Sequence, residues 1–277
     1  MNARKYWILT TLLVTVFTAS SATKIFALEL EPKYWGEEVE KDKLEITLAT
    51  KVVSKYIWRG FDKFDDYGAV QPSINLDWFG TNLSTMVWAS TPLSKGFVND
   101  EEMDYIVAYK GSFFQDTSYA TNYSVNWIYY DFPNTFSRHK DLQEGGVGFS
   151  WPGSFVLGRY SLIPSYYVAK LWPAKSNSVN SREGGWIHIL ALGYDVPVFG
   201  VMVEEQLIHL SSEIVYNDAM GPGNVDRNWS HIVLGISTTM KDEGVTVTTG
   251  LNYQISIENT VNDEDELWGG LSISYKF

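Results

Sequence analysis

Residue types that carry acid–base, nucleophilic or metal chemistry are sparse in this chain of 277 residues. Cysteine is absent, which removes disulfides and thiolate metal sites. The four histidines show neither HExxH nor another metal-binding spacing. The stretch Gly148–Pro152 approaches the GxSxG nucleophile motif, but Pro152 stands where the last glycine is required. The sequence therefore predicts no catalytic residue, no metal centre and no cofactor.

One weaker signal for hydrolytic chemistry is a serine–histidine pair. His209 and His231 fall on predicted strands that should be neighbours, and Ser211 and Ser230 lie near them. Serine is frequent in these strands, so the proximity carries little weight. A membrane hydrolase is therefore the least favoured functional hypothesis.

Carboxylates are concentrated in three clusters that fall in predicted loops. Oxygen-rich clusters can hold Ca²⁺ or Mg²⁺, but no EF-hand spacing is present. Solvated acidic loops that keep strands from associating are the favoured interpretation. The clusters are Asp62, Asp65 and Asp66; Asp100, Glu101 and Glu102; and Asp263, Glu264, Asp265 and Glu266.

The composition is rich in aromatics and poor in charge. Aromatics make up 15% of the chain and charged residues 19%, against about 25% charged residues in an average soluble domain. The mean hydropathy is −0.14, which excludes a bundle of apolar helices. The net charge of −12 excludes a basic nucleic-acid-binding surface. This balance suits strands with one face in lipid and the other in water.

The N-terminus has the three-part layout of a secretory signal peptide. Arg4 and Lys5 precede an apolar run over 6–17, and small residues follow it. We expect cleavage after Ala22 or after Ala27, with the first site preferred. A retained anchor helix is the alternative, but the apolar run is shorter than the roughly 20 residues of a membrane span. The expected organisation is a signal peptide over 1–22, a periplasmic leader over 23–43 and a barrel over 44–277.

From residue 44 onward, apolar and polar residues alternate with period two, which indicates β-strands. The first strand is predicted over 44–58, with Tyr56 and Trp58 on the same face as Leu48. About twelve such segments are found, each near the 9–11 residues of a tilted membrane strand. Short and long connections alternate between them, as in outer-membrane barrels. The pattern predicts an all-β fold, a transmembrane antiparallel up-and-down β-barrel with both termini in the periplasm.

A soluble β-sandwich or barrel is the alternative fold, since it also alternates polar and apolar residues. Two features favour the membrane barrel. Aromatics recur near strand ends, where interfacial girdles lie, and the polar faces carry Ser, Thr, Asn and Gln rather than charges. The aromatics near strand ends are Trp78, Phe79, Trp127, Tyr129, Trp151, Trp186, Trp229, Tyr275 and Phe277.

Two stretches resemble a known family. Ser54–Phe61 contains a Tyr-x-x-Arg-Gly segment, and Gln71-Pro72-Ser73 opens the second strand. Both are similar to the first two strands of the TorF-like porins, members of the Gcw_chp family of bacterial proteins of unknown function. The resemblance implies an outer-membrane location and a pore. Tyr275 and the terminal Phe277 resemble the C-terminal signal that the barrel assembly machinery reads.

Two functional hypotheses follow from the barrel. The main one is a porin-like channel for passive diffusion of small polar solutes, since about twelve strands enclose more room than eight. The alternative is a non-conducting structural or adhesion barrel that acts through its acidic loops. If Trp88, Ile106, Ile128 and Trp268 crowd the lumen, conduction becomes doubtful. The expected partners are outer-membrane lipid and lipopolysaccharide, the barrel assembly machinery and small polar solutes.

The predicted strand faces also give a charge map. If odd-numbered residues of the first strand face inward, Lys51, Lys55 and Arg59 form a basic row above Glu45 on the lumen wall. Other strands add both acidic and basic side chains to this wall. Bracing of a loop carboxylate by Arg59 is favoured over a ligand contact. Because the rim is acidic, we expect weak ion selectivity at high salt and a preference for cations at low salt. Neutralising Lys51 and Lys55 together should strengthen that preference. The lumen and rim candidates are Lys51, Lys55, Arg59, Asp77, Asp104 and Lys110.

Overall fold

The computed structural model describes residues 43–97, 100–134, 140–152, 154–157, 160–174, 184–198, 206–221 and 225–277. The expected signal peptide and nearly all of the expected leader lie outside these residues. Within the described ranges, no helix is both long and apolar enough to cross a membrane.

The described residues form fifteen β-strands and one 3-10 turn at Lys95–Phe97. The strands are β1 Glu45–Val53, β2 Ile57–Trp58, β3 Phe61–Asp62, β4 Ala69–Asp77, β5 Leu83–Pro92, β6 Glu102–Phe113, β7 Thr121–Asp131, β8 Leu142–Ser150, β9 Phe155–Leu157, β10 Tyr160–Pro173, β11 Gly184–Val198, β12 Gln206–Gly221, β13 Asn228–Asp242, β14 Val245–Ser256 and β15 Glu266–Lys276.

Twelve of these strands close into one antiparallel barrel. Each pairs with the next barrel strand along the chain, and β1 pairs with β15 to seal the sheet. Strands β2 and β3 form a separate hairpin, and β9 adds only a short pairing to β10. The prediction of a twelve-stranded antiparallel barrel is confirmed.

The start of β1 and the end of β15 lie at the same end of the barrel, because Thr47 of β1 pairs with Lys276 of β15. We call this the terminal end and the opposite end the loop end. The turns at the terminal end are short; Trp78 and Leu83, for example, close the β4–β5 turn by a backbone hydrogen bond of 3.0 Å. The connections at the loop end are longer, as between β14 and β15.

Two predictions about strand length are wrong. Strands β10 to β13 run for 14 to 16 residues rather than 9–11. The first strand ends at Val53, not at Trp58. The alternation that continues through Tyr56 and Trp58 belongs to a segment that leaves the sheet and turns inward.

The outer face of the barrel is apolar, and the polarity of the inner face differs between the two ends of the barrel. Leu48, Leu190 and Ile236 are among the exposed outward side chains. Exposed aromatics lie near both rims, including Trp127 and Trp229 at the loop end and Tyr275 at the terminal end.

The lumen near the terminal end is lined by small polar side chains. They include Thr47, Asn75, Ser84, Ser237, Thr239, Thr248 and Ser274.

Glycine at position 146 of β8 makes room for a large lumen side chain. A Cβ there would collide with the Tyr167 hydroxyl and lie 2.8 Å from Asn126 Oδ1. We expect Gly146→Ala to lower the unfolding free energy by about 1–3 kcal/mol, because Tyr167 must leave its buried position. Urea unfolding in lipid vesicles, followed by tryptophan fluorescence, measures the loss.

The neighbouring glycine supplies the matched control. A Cβ at Gly145 would meet only Trp172, at 3.4 Å, which is an ordinary contact. Gly145→Ala should therefore change stability much less. Equal losses of unfolding free energy in both variants would contradict the conclusion that Gly146 makes room for the Tyr167 side chain.

Candidate functional site

The chain between β1 and β4, residues 54–68, folds into the barrel, and we call it the inserted segment. It contains the β2–β3 hairpin. Tyr56 and Ile57 are fully buried, and Phe64 is 1% exposed. A loop with such burial must be covered on all sides, which the surrounding barrel wall provides.

Lumen-facing side chains of the loop end receive the inserted segment. The Tyr56 ring lies 6.1 Å from Trp88, and the Trp58 ring lies 5.8 Å from Tyr130. Ile57 joins a small hydrophobic cluster with Val233 and Trp268. Trp88, Ile106, Ile128 and Trp268 are all buried here. These are the four residues whose crowding of the lumen was expected to make free conduction doubtful.

An ion pair across the lumen is the best-buried charged contact of the segment. Arg59 Nη2 lies 2.6 Å from Glu144 Oε1, with the side chains 6% and 0% exposed. Tyr130 and Tyr167 donate hydrogen bonds of 3.0 Å and 2.9 Å to the same carboxylate. Burial by itself lowers the pKa of Arg59, but the charge of Glu144 outweighs it and holds the pKa above its ordinary value. Arg59 therefore stays charged in the lumen.

Two further contacts hold the start of the segment. The Tyr56 hydroxyl donates to Glu102 Oε2 at 2.8 Å. Burial and the charge of Glu102 raise the pKa of Tyr56 well above its ordinary value, so the phenol remains a donor. Lys55 Nζ lies 2.7 Å from Glu266 Oε2 and also pairs with Asp66. Partial burial lowers the pKa of Lys55, but these two carboxylates outweigh it and raise the pKa.

The tip of the segment needs glycine. Arg59 has a φ of 51° and Gly60 a φ of 93°, in the left-handed region. A Cβ on Gly60 would lie 2.6 Å from His231 Nδ1 and 2.8 Å from Val261 Cγ1. The Gly60 carbonyl accepts a hydrogen bond of 3.0 Å from Gln254 Nε2. The Arg-Gly pair therefore turns the chain while the backbone packs directly against the wall.

The sequence-predicted lumen residues divide into two groups. Lys51, Asp77, Asp104 and Lys110 lie on the lumen side of barrel strands. Lys55 and Arg59 do not line the wall; they belong to the inserted segment. The basic row expected along the first strand is therefore wrong beyond Lys51, because β1 ends at Val53, before Lys55 and Arg59. Arg59 braces a carboxylate, as expected, but on strand β8 rather than in a loop.

The acidic clusters are not uniformly solvated. Glu102 and Glu266 are buried and hold the inserted segment. Asp265 accepts hydrogen bonds from the Ser256 backbone at 2.9 Å and the Tyr253 hydroxyl at 2.8 Å. These contacts hold the pKa of Asp265 below its ordinary value. The members that stay exposed are Asp65, Asp66, Asp263, Glu264 and Asp265. Asp100 and Glu101 are half-buried.

Asp62, Asp66 and Glu266 bring three carboxylates close together. Asp62 accepts hydrogen bonds from the Phe64 backbone at 3.0 Å and the Asp66 backbone at 2.6 Å. Partial burial raises the pKa of Asp62 despite these donors. The Lys55 ammonium pairs with both other carboxylates, so the cluster has a cation from the chain itself.

Both described histidines of the serine–histidine hypothesis face the lumen. His209 Nδ1 lies 2.6 Å from Asp195 Oδ1, and His231 Nδ1 lies 2.8 Å from Ser230 Oγ. His231 is fully buried beneath Gly60. Its packing role under the segment tip explains the Ser230–His231 pair without hydrolysis.

Sequence reasoning missed Glu144, Asp195 and Glu213. All three lie on lumen faces of β8, β11 and β12, where the alternation is weaker. A charged residue isolated within a glycine-rich strand, as at Glu144, is the signal that was present.

Comparison with known proteins identifies the architecture. No family model matches the chain, and no curated protein matches it either. An outer-membrane channel from Pseudomonas putida F1 has a TM-score of 0.51 at 8% identity, over 87% of this chain and 98% of that one. The NanC porin has a TM-score of 0.48 at 9% identity, over 85% and 100%. LpxR from Salmonella typhimurium has a TM-score of 0.47 at 10% identity, over 83% and 99%. The fold is that of outer-membrane β-barrels.

Proposed function

We propose that this protein is a bacterial outer-membrane channel for small polar solutes, narrowed at its loop end by the inserted segment. The observation that carries the proposal is the division of the lumen. Its terminal half is lined by small polar side chains, whereas its loop half is filled by a separate segment held through ionic contacts. A polar inner face along half the length of the lumen is compatible with a water-filled path for solutes.

In this proposal the terminal end faces the periplasm and the loop end faces the exterior. Lipid and lipopolysaccharide surround the apolar outer face and its aromatic rims. Tyr275 and Phe277 are exposed at the terminal end, and this exposure supports the proposal that the barrel assembly machinery binds them. We also propose that the chain belongs to the TorF-like family. The Arg59-Gly60 pair supports this, since both residues of this motif shape the tip of the inserted segment.

A non-conducting barrel is the second candidate. Burial of Trp88, Ile106, Ile128 and Trp268 favours it, because these side chains and the inserted segment fill the loop half of the lumen. In that case the surface that acts is the exposed acidic part of the loops.

Planar-bilayer recording of the purified protein separates the two candidates. We expect discrete conductance steps that are small for a barrel of this strand number, because the inserted segment narrows the path. Selectivity should be weak at high salt and favour cations at low salt. Heat-unfolded protein is the control. Silence over a wide voltage range, with folding shown by faster gel migration of the unheated protein, would favour the non-conducting barrel.

A further inference from the structure

The described barrel strands carry eight lumen-facing carboxylates, and seven of them, Asp104 included, have a polar or electrostatic partner. The eight are Glu45, Asp77, Glu102, Asp104, Glu144, Asp195, Glu213 and Glu266. Glu45 pairs with Lys276 at 2.9 Å, and Asp195 with His209 at 2.6 Å. Asp77 accepts from Asn75 at 2.9 Å. The inserted segment supplies partners to Glu102, Glu144 and Glu266.

Glu213 is the exception among the described residues. It forms no hydrogen bond and no ion pair within 4.0 Å, and the one charge that acts on it from a distance is that of Arg59. Arg59 itself already neutralises Glu144. When the Glu213 carboxylate is ionised, no described cation is therefore left to pair with it.

The cross-strand neighbours of Glu213 supply no hydrogen-bond donor to its carboxylate. Its cross-strand partners are Ala191 and Val233, neither of which has a side-chain donor. The side chain is only half-buried, although it lies in the middle of a strand and faces inward. Val233 packs in the cluster that contains Ile57, so Glu213 lies where the inserted segment ends and the polar half of the lumen begins. Gln254, which follows Val233 in the same cross-strand row, has a buried Oε1 without a donor among the described residues.

From this arrangement we infer that Glu213 is a lumen binding site for small cations, either alkali ions or primary ammonium groups, and sets the ion preference of the channel. The inference rests on the proposed function. A charged oxygen without a partner next to a narrow path attracts counter-ions more strongly than carboxylates that are already paired. Rim carboxylates such as Glu264 are solvated and contribute less.

Reversal potentials in a potassium chloride gradient test the inference. We expect Glu213→Gln to lower the potassium-over-chloride permeability ratio by about threefold at about 0.1 M salt, where screening extends about 10 Å. The matched control is Glu264→Gln, which removes the same charge from the exposed rim and should change the ratio little. Equal ratios in wild type and Glu213→Gln would overturn the inference while the channel function stands.

A second measurement does not depend on conduction. Mn²⁺ bound at Glu213 should broaden the valine methyl NMR signals of Val215 and Val233 in detergent micelles, and Glu213→Gln should abolish the broadening. If the channel is silent in bilayers but the broadening depends on Glu213, the cation site stands and the proposed function fails. Absence of broadening in the wild type, together with unchanged selectivity, would overturn the site.

Discussion

Replacement of Arg59 by methionine is expected to lower the free energy of unfolding by about 3–5 kcal/mol, because it leaves the Glu144 carboxylate buried without its cation. Both side chains are almost inaccessible, so water cannot replace the lost partner. Tyr130 and Tyr167 still donate to Glu144, but neutral donors compensate a buried charge only in part. Urea unfolding in lipid vesicles, followed by tryptophan fluorescence, gives the difference.

A double-mutant cycle makes this prediction specific. Adding Glu144→Gln to Arg59→Met should recover much of the stability, because no buried charge remains. Lys55→Met is the comparison for a partly exposed pair, and its cost should stay near 1 kcal/mol or below. An Arg59→Met variant within 1 kcal/mol of the wild type would mean that the inserted segment is held by its apolar contacts alone.

Replacement of residues 56–64 by an equally long Gly-Ser linker is expected to raise single-channel conductance by about threefold or more, because the lumen of a twelve-stranded barrel is then limited by its walls. The hairpin and its aromatic side chains leave the loop half of the lumen in this variant. Single-channel recording at fixed salt measures the change.

The control replaces residues 175–183, a stretch of equal length between β10 and β11 in the sequence. Its conductance should equal that of the wild type. Equal conductance in the wild type and in the 56–64 variant, with both folded, would exclude the inserted segment as the constriction. A silent wild type and a conducting variant would identify the segment as a complete plug.

The barrel could be predicted from the sequence because its main determinant is local. Period-two alternation depends only on neighbouring residues, and each strand repeats it. The strongest repeats, in β14 and β15, were also placed best. The longer strands β10 to β12 were read with uncertain limits, because glycines and polar residues interrupt the apolar face.

The inserted segment could not be predicted because its stability comes from distant residues. The alternation through Ser54, Tyr56 and Trp58 is compatible with a lipid-facing strand and equally with a hairpin packed inside a lumen. The packing inside the lumen is stabilised by Glu144, which lies 85 residues from its partner Arg59, and by Glu266, which lies 211 residues from its partner Lys55. Period and composition contain no information on such contacts. The tight approach of Gly60 to His231 was hidden for the same reason.

The seam between β1 and β15 joins the first and last strands of the sheet, so the barrel closes only when both strands are in place. Residues 54–68 are made early, yet the wall that receives them is incomplete until the final strand has been added. Ser54 already bonds across the seam, through its backbone N–H to the Gly269 carbonyl at 2.7 Å. Docking of the segment is therefore coupled to sealing of the sheet, and each event stabilises the other.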